Sequence, residues 1–257
     1  MRRVERDGLA WYEFDGPDSH FKHALITRMG GVSAAPFASL NLGSTVGDAP
    51  AAVAENHRRL FSALNVTPEC VVSPHQVHGR NVAQVHLADG GTVIPETDAL
   101  ITNVPGVVLL LRFADCTPVL LYDPVQQAVG LAHGGWRGVA GGIVPATVQA
   151  MHTAFGSDVR DLWVGVGPAI GPDHYEVGAE VVAAIAATLP PGTNIARRHH
   201  ARWLLDLPTA IEAQLTALGV QHSAQSGLCT ACHTDEWYSH RREKGHTGRF
   251  GVLVSLR

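Results

Sequence analysis

A continuous run of five apolar residues, VVLLL at 107–111, most constrains the fold of this 257-residue chain. A run without polar alternation is typical of a β-strand that is buried on both faces. Further strands are predicted at four apolar segments, which are PVLLYD (118–123), AVGLA (128–132), LWVGV (162–166) and FGVLVSL (250–256). The sequence therefore predicts at least five strands, the first of them fully buried.

Helical patterns are interspersed among these strands. Four helices are predicted: one that opens at Asp48 as N-cap and Pro50, one over 139–155 that Pro145 can kink, one over 180–189, and one from Asp206 to Gly219. Because strands and helices do not alternate regularly, an α+β fold with a mixed sheet is favoured over a doubly wound fold. Without repeats or linkers, residues 1–257 are predicted to form a single domain.

The composition excludes several classes of protein. Apolar residues make up 46% of the chain and charged residues 16%, which fits a well-packed globular protein. A net charge of −4 without a long basic run argues against nucleic acid as a partner. We find no apolar run long enough to span a membrane and no signal-peptide pattern. Four cysteines are too few for a disulfide framework, so we expect a cytoplasmic protein with reduced thiols.

Three side chains of the kind that bind metals lie in loops beside apolar runs: His78 in SPHQVHGRNV, Cys116 in RFADCTPVLLYDP and His133 in GLAHGGWRG. Two imidazoles and one thiolate are the ligand set of a catalytic zinc site that keeps a fourth position open. The spacings of 38 and 17 residues mean that the fold itself must assemble such a site. A lone Cys or His is more often an ordinary packing residue. Asp115 could orient a ligand imidazole or a bound water.

Three other segments permit weaker predictions. GGWRG (134–138) precedes a helix and could form an anion cradle that includes Arg137, although close packing around Trp136 would explain it as well. SHRREKGHTGRFG (239–251) could offer arginines to a polar substrate, or form a solvated turn. CTACH (229–233) has the spacing of a haem-attachment signature, but export and a second CxxC are lacking. We interpret Cys229 and Cys232 as buried or site-adjacent thiols outside the zinc site.

Taken in chain order, a series of motifs resembles the YfiH family, whose members are described as purine nucleoside phosphorylases, multicopper polyphenol oxidases or peptidoglycan editing factors. The motifs run from about residue 25 to the C-terminus: TRMGGVSAAPFASLNLG, QVHGRNV, TDALIT, ADCTPVLLYDP, AHGGWRGVAGGIV, VGPAIGPDHYEVG and CTACHTDEWYSHRREKGHTGR. The chain departs from the family pattern at two places: a glycine at 134 in AHGGWRG, and the segment EWYSHRR, which the resemblance implies forms the aromatic edge of the substrate pocket.

The resemblance implies an α/β sandwich with zinc held by His78, Cys116 and His133, the residues already selected. It also implies that Arg28, Asn41 and Glu176 line a nucleoside pocket. Together with Arg137 these are the expected substrate-binding residues, and Asp115, Cys116 and His133 are the expected catalytic residues.

The leading hypothesis is a zinc-dependent phosphorylase of adenosine, inosine and guanosine that also deaminates adenosine. Its expected partners are purine nucleosides and phosphate. One alternative is a Cys–His hydrolase that edits peptidoglycan precursors, with Cys116 as nucleophile and His133 as base. Another is a copper-dependent polyphenol oxidase, which is disfavoured because the chain lacks the clustered ligands of a multicopper enzyme. A metal-binding protein without catalytic activity is the last alternative.

Overall fold

The computed structural model describes residues 1–16 and 19–257, and within them the chain forms five α-helices and sixteen β-strands. The helices are α1 (Pro50–Leu64), α2 (Trp136–Gly141), α3 (Ile143–Phe155), α4 (Ala179–Ala186) and α5 (Leu207–Leu218). The strands are β1 (Arg2–Arg6), β2 (Leu9–Glu13), β3 (Phe21–Ile26), β4 (Val71–Pro74), β5 (Val82–Gln84), β6 (Val93–Ile94), β7 (Ala99–Thr102), β8 (Val108–Phe113), β9 (Thr117–Asp123), β10 (Ala128–Gly134), β11 (Trp163–Val166), β12 (Glu176–Val177), β13 (Ala196–His199), β14 (Arg202–Leu205), β15 (His222–Gln225) and β16 (Phe250–Leu256).

The described strands pair into three sheets. The first sheet has the order β1-β2-β3-β16-β8-β4-β6, the second β15-β11-β9-β10-β7-β5 and the third β12-β14-β13. Most neighbours are antiparallel, but β4 pairs in parallel with β8 and β6, β5 with β7, and β11 with β15. Mixed sheets combined with helices confirm the predicted α+β class.

The two larger sheets pack face to face, and side chains that alternate along their buried strands fill the layers on both sides. In β8, Leu109 and Leu111 pack in one cluster with Leu120 of the second sheet, whereas Leu110 packs on the opposite side with Leu60 of α1. Successive side chains of a strand point to opposite faces, so β8 contributes to two apolar cores at once. Each fully buried leucine contributes roughly 1.5–3 kcal/mol to folding.

The outer face of the second sheet is covered by helices. Val119 and Leu121 of β9 pack in a further cluster with Met151 of α3 and Ile211 of α5. The resulting order of layers is α1, first sheet, second sheet, and then α3 with α5. The five apolar segments predicted from sequence form β8, β9, β10, β11 and β16, all inside these layers.

Two helix predictions need correction and one is confirmed in detail. The N-cap of α1 is Ala49, because the carboxylate of Asp48 accepts hydrogen bonds from Ser33 and Asn41 of a neighbouring loop. The helix predicted over 139–155 is broken in two at Gly142, whose φ of 88° ends α2, so Pro145 falls in the first turn of α3 and kinks nothing. The last helix begins after an Asp206 N-cap and ends at Gly219, as predicted.

His57 in α1 should make stability depend on pH. Burial, and then the nearby Arg112, lower the pKa of His57 to about 4 from 6.5. As the pH falls below about 6.5, the unfolded chain takes up this proton first, so the free energy of unfolding falls until the pH reaches about 4 and then levels off. A shift of this size corresponds to roughly 3 kcal/mol.

His57→Gln removes the titration, while its amide can still donate to the Leu42 carbonyl that lies 3.2 Å from Nε2 of His57. Urea unfolding at several pH values from 7 to 4 should therefore give the variant a flatter stability profile than the wild type. Parallel profiles would show that His57 does not contribute to acid sensitivity.

A candidate metal centre

The pairing of strands explains how residues distant in sequence meet. Cys116 immediately precedes β9 and His133 lies in β10; because the two strands are antiparallel, His133 lies opposite Pro118. On the other side of β10, the backbone N–H of His133 donates to the carbonyl of Asp98, which directly precedes β7 (2.8 Å). His78 lies in the loop after β4, where its backbone N–H donates to the side-chain carboxylate of the same Asp98.

The three predicted ligands form one cluster. The Sγ of Cys116 and a ring nitrogen of both His78 and His133 all lie within 4.8 Å of one another. The two imidazole rings are 4.8 Å apart and inclined at 71°. His133 is buried, Cys116 is half-buried and His78 is exposed, so the cluster opens toward solvent on the side of His78. We refer to these three residues as the metal trio.

Gly135 leaves the space between these side chains empty. A Cβ atom at this position would lie 3.0 Å from Cδ2 of His78, 3.3 Å from Sγ of Cys116 and 3.7 Å from Cε1 of His133. The φ of Gly135 is −76°, which any residue can adopt. Any larger side chain at this position would crowd all three members of the trio, so glycine is required here for its lack of a side chain.

Asp98 is a site residue to which sequence reasoning gave no role. Its fully buried carboxylate accepts hydrogen bonds from the backbone N–H groups of Val77, His78 and Gly79, at 2.7–3.1 Å. It also contacts Nδ1 of His133 at 2.9 Å, which directs the other ring nitrogen toward the cluster. One carboxylate thus orients two of the three ligands. Its position in TDALIT, directly before a buried strand, was the available signal.

The electrostatics of the cluster favour a thiolate. Burial opposes ionisation of Cys116, but the adjacent imidazoles of His133 and His78 lower its pKa to about 6. Burial likewise disfavours a charged His133, but Cys116 and Asp98 raise its pKa to about 9. A thiolate is the form in which cysteine binds metals or attacks an electrophile, so the site is prepared for either chemistry.

Asp115 lies next to the trio but does not contact His133. Its carboxylate accepts from the hydroxyl of Thr230 at 2.7 Å and from the backbone N–H of Arg241 at 2.6 Å. The orientation of an imidazole, one of the two roles considered for Asp115, falls to Asp98 instead. Asp115 has a φ of 83°, and a non-glycine residue held in this region often marks a functional site.

Arg28 is engaged by protein partners. Its guanidinium donates to the carbonyls of Ala38 at 2.7 Å and Thr234 at 2.8 Å, pairs with Glu243 at 2.9 Å and lies 4.2 Å from the ring centre of Tyr238. The contacts join two loops that are about 200 residues apart in the chain. Any contribution of Arg28 to substrate binding therefore includes the ordering of these loops.

Asn41, which the resemblance places in the lining of the nucleoside pocket, is engaged by protein partners. Asn41 is fully buried, and its side-chain amide is engaged by Gly43, Asp48 and the backbone N–H of Arg249. Every polar atom of the side chain already has a partner, so Asn41 shapes the loop. The aromatic edge expected in EWYSHRR is likewise internal, because Trp237 and Tyr238 are fully buried in the core.

The two remaining substrate residues are exposed. Arg137 follows Gly135 at the start of α2, and its guanidinium lies 4.5 Å from the ring centre of Trp136. Glu176 is exposed, and its backbone carbonyl accepts from the guanidinium of Arg241 at 2.7 Å. Tyr175, which sequence reasoning missed, has its pKa raised by burial and then by the charge of Cys116, while Arg241 and Arg137 act in the opposite direction. The guanidinium of Arg241 lies 5.3 Å from the ring centre of Tyr175.

Residues 22–257 match the family model described as multi-copper polyphenol oxidoreductase laccase. The chain belongs to this family. Among its relatives is the purine nucleoside phosphorylase YlmD of Geobacillus stearothermophilus, which is 41% identical over 244 residues, 91% of this chain and 89% of the relative. The purine nucleoside phosphorylase YfiH of Escherichia coli is 36% identical over 230 residues, 90% of this chain and 91% of the relative. The resemblance predicted from the motifs is thus confirmed.

Solved structures agree with this assignment. The crystal structure of YlmD from Geobacillus stearothermophilus superposes with a TM-score of 0.94 at 39% identity and covers 99% of this chain and 98% of that one. A Neisseria meningitidis protein, NMB0706, gives a TM-score of 0.85 at 31% identity; the superposition covers 97% of this chain and 99% of that one.

In the part of the chain that the structure describes, none of the helices combines the length and the apolar composition that a membrane span needs.

Proposed function

We propose that the protein is a zinc-dependent purine nucleoside phosphorylase that acts on adenosine, inosine and guanosine and also deaminates adenosine. The metal trio, open on one side, is the observation that carries this proposal. The names of the relatives in Geobacillus stearothermophilus and Escherichia coli support the phosphorylase activity.

The donor set of the trio suits zinc. Two imidazole nitrogens and one thiolate leave one position of a tetrahedral ion free. When bound, zinc would supply a Lewis acid and lower the pKa of a water molecule. Asp98 keeps His133 in the orientation that ligation requires, and Gly135 keeps the central space free.

Phosphorolysis requires an anion site beside the trio. An oxygen of phosphate bonds to the anomeric carbon of ribose, the bond from that carbon to the purine nitrogen breaks, and its electron pair leaves with the purine, which takes up a proton. We assign phosphate binding to the exposed guanidinium of Arg137, because its planar set of N–H donors can pair with two phosphate oxygens at once. Glu176 is proposed to face the ribose, and Arg28 to order the loops around the pocket.

For deamination, an oxygen of water bonds to C6 of adenine and the bond to the exocyclic nitrogen breaks, which releases ammonia. Asp115 is the proposed proton carrier. Each of its two oxygens has one hydrogen-bond donor and keeps another lone pair to accept a proton.

Arg137→Ala and Arg28→Ala should have different effects. Loss of the charged contact of Arg137 should cost roughly 1.5–3 kcal/mol, so KM for phosphate should rise about 10-fold or more with little change in stability. Arg28→Ala removes the ion pair with Glu243 and the donor to the carbonyls of Ala38 and Thr234, so the free energy of unfolding should fall. Steady-state kinetics and urea unfolding separate the two; Arg58→Ala, an exposed residue of α1 paired with Glu55, is the control. Unchanged KM for phosphate in Arg137→Ala would remove Arg137 from the anion site.

One observation favours a second candidate function. Cys116, His133 and Asp98 also form the arrangement of a nucleophile, its base and an orienting carboxylate. A hydrolase that cleaves amide bonds in cell-wall precursors would use Cys116 covalently and would work without metal. The copper oxidase suggested by the description of the family model would instead need copper and a phenol substrate.

The decisive assay follows adenosine, inosine and guanosine by chromatography, with and without phosphate, alongside elemental analysis of the same preparation. The proposal predicts zinc in the protein, and free base with ribose 1-phosphate only when phosphate is present. Phosphate-independent release of the base, or full activity after the metal has been removed, would contradict it.

A further inference from the structure

A second cluster of metal-binding side chains is formed by residues outside the trio. His174, Cys229 and Cys232 each offer one ligand atom, and these atoms all lie within 4.8 Å of one another. His174 is half-buried, as is Cys229, and Cys232 is exposed. The sequence predicts buried or site-adjacent thiols for the two cysteines, and the exposure of Cys232 excludes the first of these alternatives for that residue. The two clusters have no residue in common.

The backbone fixes this second cluster. Cys229 is held against the loop at 169–171 by a parallel bridge between Ala169 and Cys229, and its Sγ accepts from the N–H of Gly171 at 3.1 Å. The CTACH segment closes in a tight turn, since the N–H of Cys232 donates to the carbonyl of Cys229 at 3.2 Å. Two turns tied together at one bridge therefore bring the three side chains to the same point.

Two of the three candidate ligand atoms are in hydrogen-bond contact. Nε2 of His174 lies 3.1 Å from Sγ of Cys232. A Cβ at position 171 would lie 3.1 Å from Sγ of Cys229, so Gly171 permits this close approach of its backbone. Sulfur and imidazole nitrogen are the donors that Zn²⁺ and other thiophilic ions prefer over oxygen.

A cavity of about 310 Å³ adjoins the second cluster and not the trio; its wall includes Gly171, Pro172, Asp173, His174, Cys229 and Cys232. Three protein ligands leave a tetrahedral ion one free position, and a cavity of this size can admit water or a small molecule to that position.

We propose that His174, Cys229 and Cys232 form a second zinc site, independent of the trio. Binding of one Zn²⁺ would displace a proton from each of the two thiols, so the site would carry no net charge. The proposal does not depend on the activity assigned above, since it predicts a metal count and a ligand set and no reaction.

The test uses the full-length protein, reduced and stripped of metal under nitrogen. Zn²⁺ is titrated and counted by elemental analysis after gel filtration, and Co²⁺ serves as an optical probe of thiolate ligation. We expect about two ions per chain in the wild type and about one in Cys229→Ser/Cys232→Ser. His78→Ala/His133→Ala should also keep about one ion, with the stronger thiolate absorption of two sulfur ligands. Cys70→Ser, at a lone half-buried thiol, should change nothing.

If circular dichroism shows that the double cysteine variant is unfolded, His174→Ala gives the same test at a residue near the surface. The affinity of the His174→Ala protein for the second Zn²⁺ should be at least about 10-fold weaker than that of the wild type. A single ion in the reduced wild-type chain that Cys229→Ser/Cys232→Ser retains would overturn the proposal. So would unchanged stoichiometry in Cys229→Ser/Cys232→Ser, or a pair that forms a disulfide and binds no ion after reduction.

Discussion

Gly135→Ala is expected to abolish metal binding at the trio and, with it, turnover of purine nucleosides. The new methyl carbon would lie 3.0 Å from the ring of His78 and 3.3 Å from Sγ of Cys116, so both side chains would have to move away from the positions in which they meet. The backbone can accept alanine, because φ at this position is −76°. The fold should therefore survive, and the loss should be confined to the site.

Gly141→Ala is the matched control. Gly141 ends α2, and a Cβ there would meet nothing within 4 Å. Alanine in this helix should keep or raise stability, by about 0.5–1 kcal/mol, without affecting the metal. Both variants are best made in a Cys229→Ser/Cys232→Ser background, so that elemental analysis counts the trio alone. Full metal content and activity in Gly135→Ala would mean that the ion binds elsewhere.

Asp98→Asn should weaken metal binding at the trio about 10- to 100-fold. The carboxylate accepts from three consecutive backbone N–H groups at 77–79 and contacts His133. An amide has only one acceptor oxygen, and its NH₂ group would face donors. Both His78 and His133 would lose the group that orients them, although neither ligand is itself changed.

Asp123→Asn provides the comparison, since Asp123 is also a fully buried carboxylate and accepts from the N–H groups of Val125 and Gln126 at the far end of β9. Its substitution should lower stability but leave zinc affinity unchanged. Affinity is measured by competition with a chromophoric chelator. Equal zinc affinities for Asp98→Asn and the wild type would show that Asp98 serves the loop and not the metal.

Features with a local signal were predictable from sequence. The apolar runs at 107–111, 118–123 and 250–256 predict buried strands from their composition alone. The ends of α5 are predicted by the N-cap residue Asp206 and the C-cap residue Gly219. The trio could be selected because thiol and imidazole groups beside strand ends are chemically distinctive. Their convergence depends on the pairing of β9 with β10 and was implied by the family resemblance alone.

Features that depend on distant partners were not predictable. Nothing near Asn41 in the sequence reveals that Asp48 and Arg249 occupy its amide, so a polar residue that matched a family motif was expected to face the substrate. Arg28 poses the same difficulty, since Glu243 lies 215 residues away. The helix break at Gly142 was not predicted, because proline is a stronger helix-breaking signal than glycine and Pro145 lies close by. Pro145 lies in the first turn of α3, where proline does not disturb a helix.

The most direct test of the zinc mechanism is the alkylation of Cys116 by iodoacetamide, followed by mass spectrometry, with phosphorolysis measured on the same samples. A thiolate bound to zinc has its lone pairs engaged, so Cys116 should resist labelling in the protein as purified. Removal of the metal by a chelator should make it reactive and abolish activity, and added zinc should restore activity to unlabelled protein. Rapid labelling of Cys116 with zinc still bound, or full activity in the chelated enzyme, would contradict the zinc mechanism and favour covalent catalysis by Cys116 with His133.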